Sequence, residues 1–146
     1  MALYTLRRSN TALNSSNDFV TVIAAASRRL RLLEIKGGGK GTTSAAGELG
    51  VHRSTGGTTG GGALTPVKGI TDAPTQGFTN FTTWAAQPTL SGDPAVILVI
   101  NQNGAVDRWI AQPNRSEFEL RNSEQMSIRA IDGTHNISAH VHLDEL

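Results

Sequence analysis

"NDFVTVIAAASRRLRLLEIKGGG", from Asn17 to Gly39, can be read as one helix or as two strands, and the choice decides the fold. As a helix, Phe19, Ile23, Ala26, Leu30 and Leu33 recur at helical spacing, with Asp18 capping the start and Gly37 the end. Against this stand the β-branched run Val20-Thr21-Val22-Ile23 and the alternation of Arg29-Leu30-Arg31-Leu32. Two strands would meet near Ser27, and the apolar face would then have to switch around Leu32-Leu33, which calls for a bulge. The strand reading is preferred. It makes Arg29 and Arg31 the polar face of a strand rather than a basic helical patch.

Outward from this stretch the chain keeps the same character. "LYTLRRS" (Leu3–Ser9) reads as a first strand followed by a polar turn through Asn17, with segment 1–17 a candidate arm. "ELGVHRS" (Glu48–Ser54) reads as a strand between two Gly/Thr-rich loops, 37–47 and 55–62. A short extended "ALTPVKG", then "FTNFTTWAAQP" (Phe78–Pro88) and a "PTLSGDP" turn lead to "AVILVINQNGAVDRWIA". That passage reads as a strand buried on both faces, an Asn103-Gly104 hairpin signal and a returning strand. In the last third Phe118 and Leu120 share a face, as do Met126, Ile128 and Ala130. The final strand places Ile137, Ala139, Val141 and Leu143 inward, with Ser138, His140, His142 and Asp144 opposite. The expectation is a single all-β domain over 1–146, a β-sandwich or jelly roll of roughly nine or ten short strands with little or no helix.

Composition narrows the functions. With 146 residues, 38% hydrophobic and 17% charged, the chain can bury a core of its own. The longest mainly apolar run, Ala95–Ile100, is too short to span a bilayer, so no membrane partner is expected. The start "MALYTLRRSN" has no apolar stretch of signal-peptide length, and its arginines follow the apolar residues. Export by that route is not expected, and the sequon Asn80-Phe81-Thr82 reads as chance. Absence of cysteine removes disulfides, thiolate metal sites and cysteine nucleophiles. A net charge of +1 does not suggest general nucleic-acid binding. Yet residues 1–73 carry nine Lys/Arg against four Asp/Glu, and residues 74–146 carry four against eight. Such a split arises either inside one interleaved fold or between basic and acidic surfaces of neighbouring subunits.

Two motifs suggest chemistry and fail on spacing. A phosphate-binding loop needs glycine, four residues, then Gly-Lys-Ser/Thr, between a strand and a helix. Here Gly39-Lys40 is followed by Gly41, Glu34 stands where the first glycine belongs, and a strand follows. His140 and His142 project from one strand face and, with Glu145, resemble part of a cupin metal site. Glu145 comes too soon after them for that family, and no second motif follows. These three are weak metal candidates only; no catalytic residue and no cofactor are assigned. His52 and His135 read as ordinary loop or surface residues. Trp84 and Trp109 read as core or interface anchors, since a base-stacking surface would want more aromatics beside its arginines.

"ELGVHRSTGGT" (Glu48–Thr58), "WAAQPT" (Trp84–Thr89) and "RWIAQP" (Arg108–Pro113) together resemble a family of small virion proteins of tailed bacteriophages. The resemblance implies a sandwich or jelly-roll capsid decoration (cement) protein, non-enzymatic, assembled in the host cytoplasm and placed on the capsid exterior. It implies a homo-oligomer, commonly a trimer, that clamps neighbouring major capsid protein subunits. The contacts it would use are sought in the two glycine loops and the N-terminal segment: Lys36, Lys40, Thr42, Thr43, Thr58, Thr59, Arg7 and Arg8. A tail, neck or head-fibre protein is the alternative, and a divergent metal-binding cupin the third.

Overall fold

The computed structural model describes residues 1–39, 41–104, 106–112 and 118–146. Among them are thirteen strands and no helix: β1 (Ala2–Asn14), β2 (Asp18–Ile23), β3 (Arg29–Gly39), β4 (Ala46–Thr55), β5 (Thr58–Gly61), β6 (Val67–Lys68), β7 (Thr79–Phe81), β8 (Thr83–Ala86), β9 (Thr89–Asn101), β10 (Val106–Ile110), β11 (Glu119–Arg121), β12 (Gln125–Ala130) and β13 (Thr134–Glu145). The excess over the expected nine or ten consists of pieces two to four residues long, too short to show a periodicity in sequence. Sheet A has the order β10-β3-β13-β1-β6, with β11 also on β3; sheet B has the order β7-β2-β12-β4-β9; β5 and β8 form a separate ribbon. The chain is an all-β sandwich.

Eight principal strands carry the fold: β1, β2, β3, β4, β9, β10, β12 and β13. The first pairs with the last, the second with the seventh, the third with the sixth and the fourth with the fifth, all antiparallel. This is one long hairpin, wound so that β13 also meets β3 and β12 also meets β4. Winding gathers buried apolar residues of both sheets in one core. Tyr4, Leu6, Leu32, Ile35, Val141 and Leu143 from sheet A face Val20, Val22, Leu49, Leu98, Met126 and Ile128 from sheet B, each no more than 2% exposed.

The ambiguous stretch resolves as two strands joined through Ala24–Arg28. His142 pairs with Glu34 but Leu143 pairs with Leu32, so Leu33 is the extra residue of a bulge. The bulge resets the alternation: Leu30 and Leu32 point inward before it and Ile35 after it.

Other expectations need correction. Segment 1–17 is no arm. Its first fourteen residues are mostly β1, an interior strand of sheet A between β13 and β6, and Tyr4, Leu6 and Leu13 are buried. The first glycine loop is shorter than 37–47, because Gly37-Gly38-Gly39 completes β3 and Ala46-Gly47 opens β4. The second, 55–62, contains β5 and is not a free loop. "PTLSGDP" is strand from Thr89 on: β9 bulges there with Gly92 at φ 70° between the Ser91–Arg53 and Val96–Val51 pairs. Nor is β9 buried on both faces. It is an edge strand with Val96, Leu98 and Ile100 inside and Ile97 and Val99 half exposed.

The two outer sheet faces differ. The ribbon β5–β8 and its flanks lie over the centre of sheet B, where the outward side chains Asp18, Thr21, His52, Ser54, Gln125 and Ser127 are polar yet buried. Except for His52, whose Nδ1 has no partner among the described residues, they bond to one another and to the cover. Thr21 Oγ1 donates to Asp18 Oδ2 (2.6 Å), Ser127 Oγ to Ser54 Oγ (2.8 Å), and Gln125 Nε2 to Ser54 Oγ (3.0 Å). From the cover, Trp84 Nε1 donates to Thr21 Oγ1 at 3.1 Å. Gly57, at φ 91°, leaves the space the Trp84 ring occupies: a Cβ there would stand 2.9 Å from the ring. On the outer face of sheet A, by contrast, Arg7, Lys36, Arg108 and His140 are exposed.

Candidate interaction surface

Alternation on four neighbouring strands of sheet A turns Arg7, His140, Lys36 and Arg108 outward, and all four are exposed. The register sets them side by side: Arg7 is opposite His140, His140 opposite Lys36, and Lys36 opposite Arg108. At strand spacing the row is roughly 14 Å long. Cations placed directly across from each other destabilise a sheet, and here three cationic side chains and a histidine are aligned. One counter-ion is present. Arg108 grips Glu34 with both arms of its guanidinium, Nε to Oε1 at 2.6 Å and Nη2 to Oε2 at 2.9 Å. That hydrogen bond, aided by the nearby charges, holds the Glu34 carboxyl below the usual range. Arg7, Lys36 and His140 make no hydrogen bond or salt bridge among the described residues.

Beside the row the face carries two depressions. On one side Gly38, whose position is outward like that of Lys36, pairs with Ser138 and Val106. This glycine floors a shallow depression of about 260 Å³ bordered by Lys36, His140 and Val106. On the other side a second depression of about 380 Å³ runs past Leu3, Leu33, His142 and Ile110. Leu3, Val106 and Ile110 are 43%, 58% and 52% exposed, more than a strand residue with a packed neighbour would be.

The structure separates the residues singled out in sequence. Arg7 and Lys36 stand in the row. Arg8 points the other way, donates to the Phe19 carbonyl oxygen and lies over the Phe19 ring with its guanidinium carbon 5.6 Å from the centroid. Burial lowers its pKa, and its role is packing. Thr42 and Thr43 are exposed on the 41–45 turn at one end of the sandwich. That turn is tied down: Gly41 N donates to Gln102 O (2.6 Å), Ala45 N to Asn101 Oδ1 (3.0 Å) and Asn101 Nδ2 to Ser44 Oγ (3.1 Å). Lys40 lies outside the described residues. Thr58 and Thr59 are in β5, paired with Ala86 and Trp84, and their side chains lie outside the described residues.

His140 and His142 share the outer face of β13, but Glu145 does not join them. Its carboxylate is buried beneath sheet A, where it accepts from Arg28 Nη1 (3.0 Å) and Gly77 N (3.0 Å). Among the described residues no three His, Cys, Asp or Glu side chains could hold a metal. The other two histidines are not surface residues. His52 lies in the polar layer of sheet B, and burial pushes its pKa down. His135 is 3% exposed and packs over Gly47 and Gly133, where a Cβ would come within 2.0 Å and 2.8 Å of its ring. Arg108 and Glu34 went unnoticed as surface residues. Their parity along β3 and β10 held the signal, but only the pairing of those strands brings them together.

Fold and surface together define a β-sandwich with one lidded sheet and one open, cation-striped sheet. No family model and no curated protein matches the chain. Among solved structures it is weakly similar to a chain of the T13 IBDV viral particle, at 9% identity and a TM-score of 0.17. That alignment covers 98% of this chain and 38% of the other, so this chain spans well under half the length of its counterpart. A TM-score of this size does not establish a shared fold.

Proposed function

We propose that this protein is a structural component of a tailed-phage virion: a non-enzymatic capsid decoration protein that binds the outside of the shell and braces contacts between major capsid protein subunits. The observation that carries the reading is the outer face of sheet A, where exposed apolar side chains accompany cations that have no ion-pair partner among the described residues. Apolar side chains exposed beside charges on one face mark a binding surface. The order of the eight principal strands supports the jelly-roll form of the sandwich.

The passages that resemble phage virion proteins also acquire physical roles. Glu48–Thr58 is β4 and its exit, ending at the glycine that receives Trp84. Trp84–Thr89 supplies the tryptophan and leads into β9, and Arg108 of the third passage completes the cationic row. A decoration protein of this size gains affinity by attaching several copies at once, which favours an oligomer such as the trimer implied by the resemblance.

Particles from the phage that encodes this chain provide the test. The protein is expected on the shell at a copy number comparable to that of the capsid protein, and shells lacking it are expected to rupture at lower temperature. Labelling confined to the tail or neck would move the protein to an adhesion or fibre role. Unchanged heat resistance of the shells would remove the bracing role.

A further inference from the structure

We infer that the outer face of sheet A recognises carboxylates: the row Arg7–His140–Lys36–Arg108 docks on an acidic, partly apolar protein surface, with a partner side chain seated in the Gly38 depression. The inference rests on the shell-binding reading and supplies the chemistry of the contact. Three observations meet there.

First, the row is electrostatically incomplete. Among the described residues its counter-ion is Glu34, held by Arg108, and Arg7 and Lys36 are exposed with no ion-pair partner. Carboxylates brought by a partner would relieve the cross-strand repulsion as they bind. Exposed cations of this kind mainly steer and select the partner. Second, Val106 and Ile110 flank Arg108, with Leu3 further along β1, and supply the apolar contact area that charge alone does not. Third, Gly38 leaves a gap among side-chain-bearing neighbours, and its φ is not positive, so the glycine is not required by the backbone.

The same features disfavour other occupants. A nucleic acid asks for an extended basic stripe with stacking aromatics. This row is short, carries a carboxylate and has aliphatic flanks. A second copy meeting this face about a two-fold axis would set the cationic row against itself.

The test uses the full chain and shells from particles deleted for it. Lys36→Glu and Arg7→Glu are expected to weaken shell binding about tenfold each, and Gly38→Trp to weaken it by filling the depression. Salt should weaken the wild type more than the charge variants. Because reversal relieves repulsion, Lys36→Glu should melt no lower than the wild type, separating lost docking from lost fold. Wild-type affinity in Lys36→Glu and Arg7→Glu combined would overturn the inference while leaving shell binding intact. No shell binding by the wild type would instead overturn the functional reading. The chemistry is then read on ¹⁵N-labelled protein with a Glu/Leu-rich peptide. Shifts gathered at positions 7, 36, 38, 108 and 140 support carboxylate recognition. Stronger shifts there with single-stranded DNA or phosphatidylserine vesicles, or self-association abolished by Lys36→Glu, overturn it.

Discussion

Asp144 projects toward the outer side of sheet A, yet it is 2% exposed, and its Oδ1 has no hydrogen-bond partner among the described residues. Burial pushes its pKa up, and the charges of Arg31 and the N-terminus only partly oppose this. A carboxyl whose folded pKa exceeds its unfolded value contributes stability that is present below the unfolded value, about 3.9, and lost as pH rises through the folded one. Asp144→Asn removes the charge but keeps the shape. Its thermal midpoint relative to wild type should therefore be higher at pH 7 than at pH 3, whatever penalty is common to both. Equal differences at the two pH values in calorimetry would mean the carboxyl titrates as it does in water. Asp144 was legible in sequence as outward-facing but not as buried. Alternation gives the direction of a side chain, while cover comes from residues elsewhere in the chain. His52 was misread for the same reason, as was His135, whose seat is made by the distant Gly47 together with Gly133.

The ribbon β5–β8 is the element that sequence patterns hid most completely. "TGGTTGGG" carries little strand propensity, yet its Thr58–Gly61 part pairs with Thr83–Ala86 over the polar outer side of sheet B. By contrast, β2, β3 and the Leu33 bulge were readable, since β-branched runs and a phase change in alternation are local signals. Trp84 fixes the ribbon to the sheet, donating to Thr21 and packing on Phe81 with ring centroids 5.2 Å apart. Trp84→Ala should cost about 2 kcal/mol, less than the 3–5 typical of a fully buried tryptophan. The loss should be local. Hydrogen exchange is expected to quicken in Thr58–Gly61 and Thr83–Ala86, with β1 and β13 still protected. Uniform acceleration across both sheets would show that the ribbon unfolds only with the core.

At the scale of the whole molecule, nearly every strand pairs with one far away in sequence, and no local signal announces the partner. Ala2 meets Glu145 and Asn14 meets Thr134, so β1 and β13 zip the two ends of the chain together in the interior of sheet A. The cationic row was illegible for that reason: its members come from four strands and become neighbours only through this register. The same winding contradicts a detachable N-terminal segment. Removing residues 2–14 would delete the fully buried side chains of Tyr4, Leu6 and Leu13, each worth about 1.5–3 kcal/mol of burial. It would also strip one edge of β13, exposing backbone donors and acceptors over most of its length. The total rivals the 5–15 kcal/mol that holds an ordinary domain together. The truncated chain is therefore expected to lose its cooperative thermal transition and to aggregate, whereas removal of a mere arm would leave the melting curve in place. Circular dichroism melts of the truncated and full-length proteins distinguish the two outcomes. A retained sharp transition would require β13 to be stable in sheet A on its contacts with β3 alone.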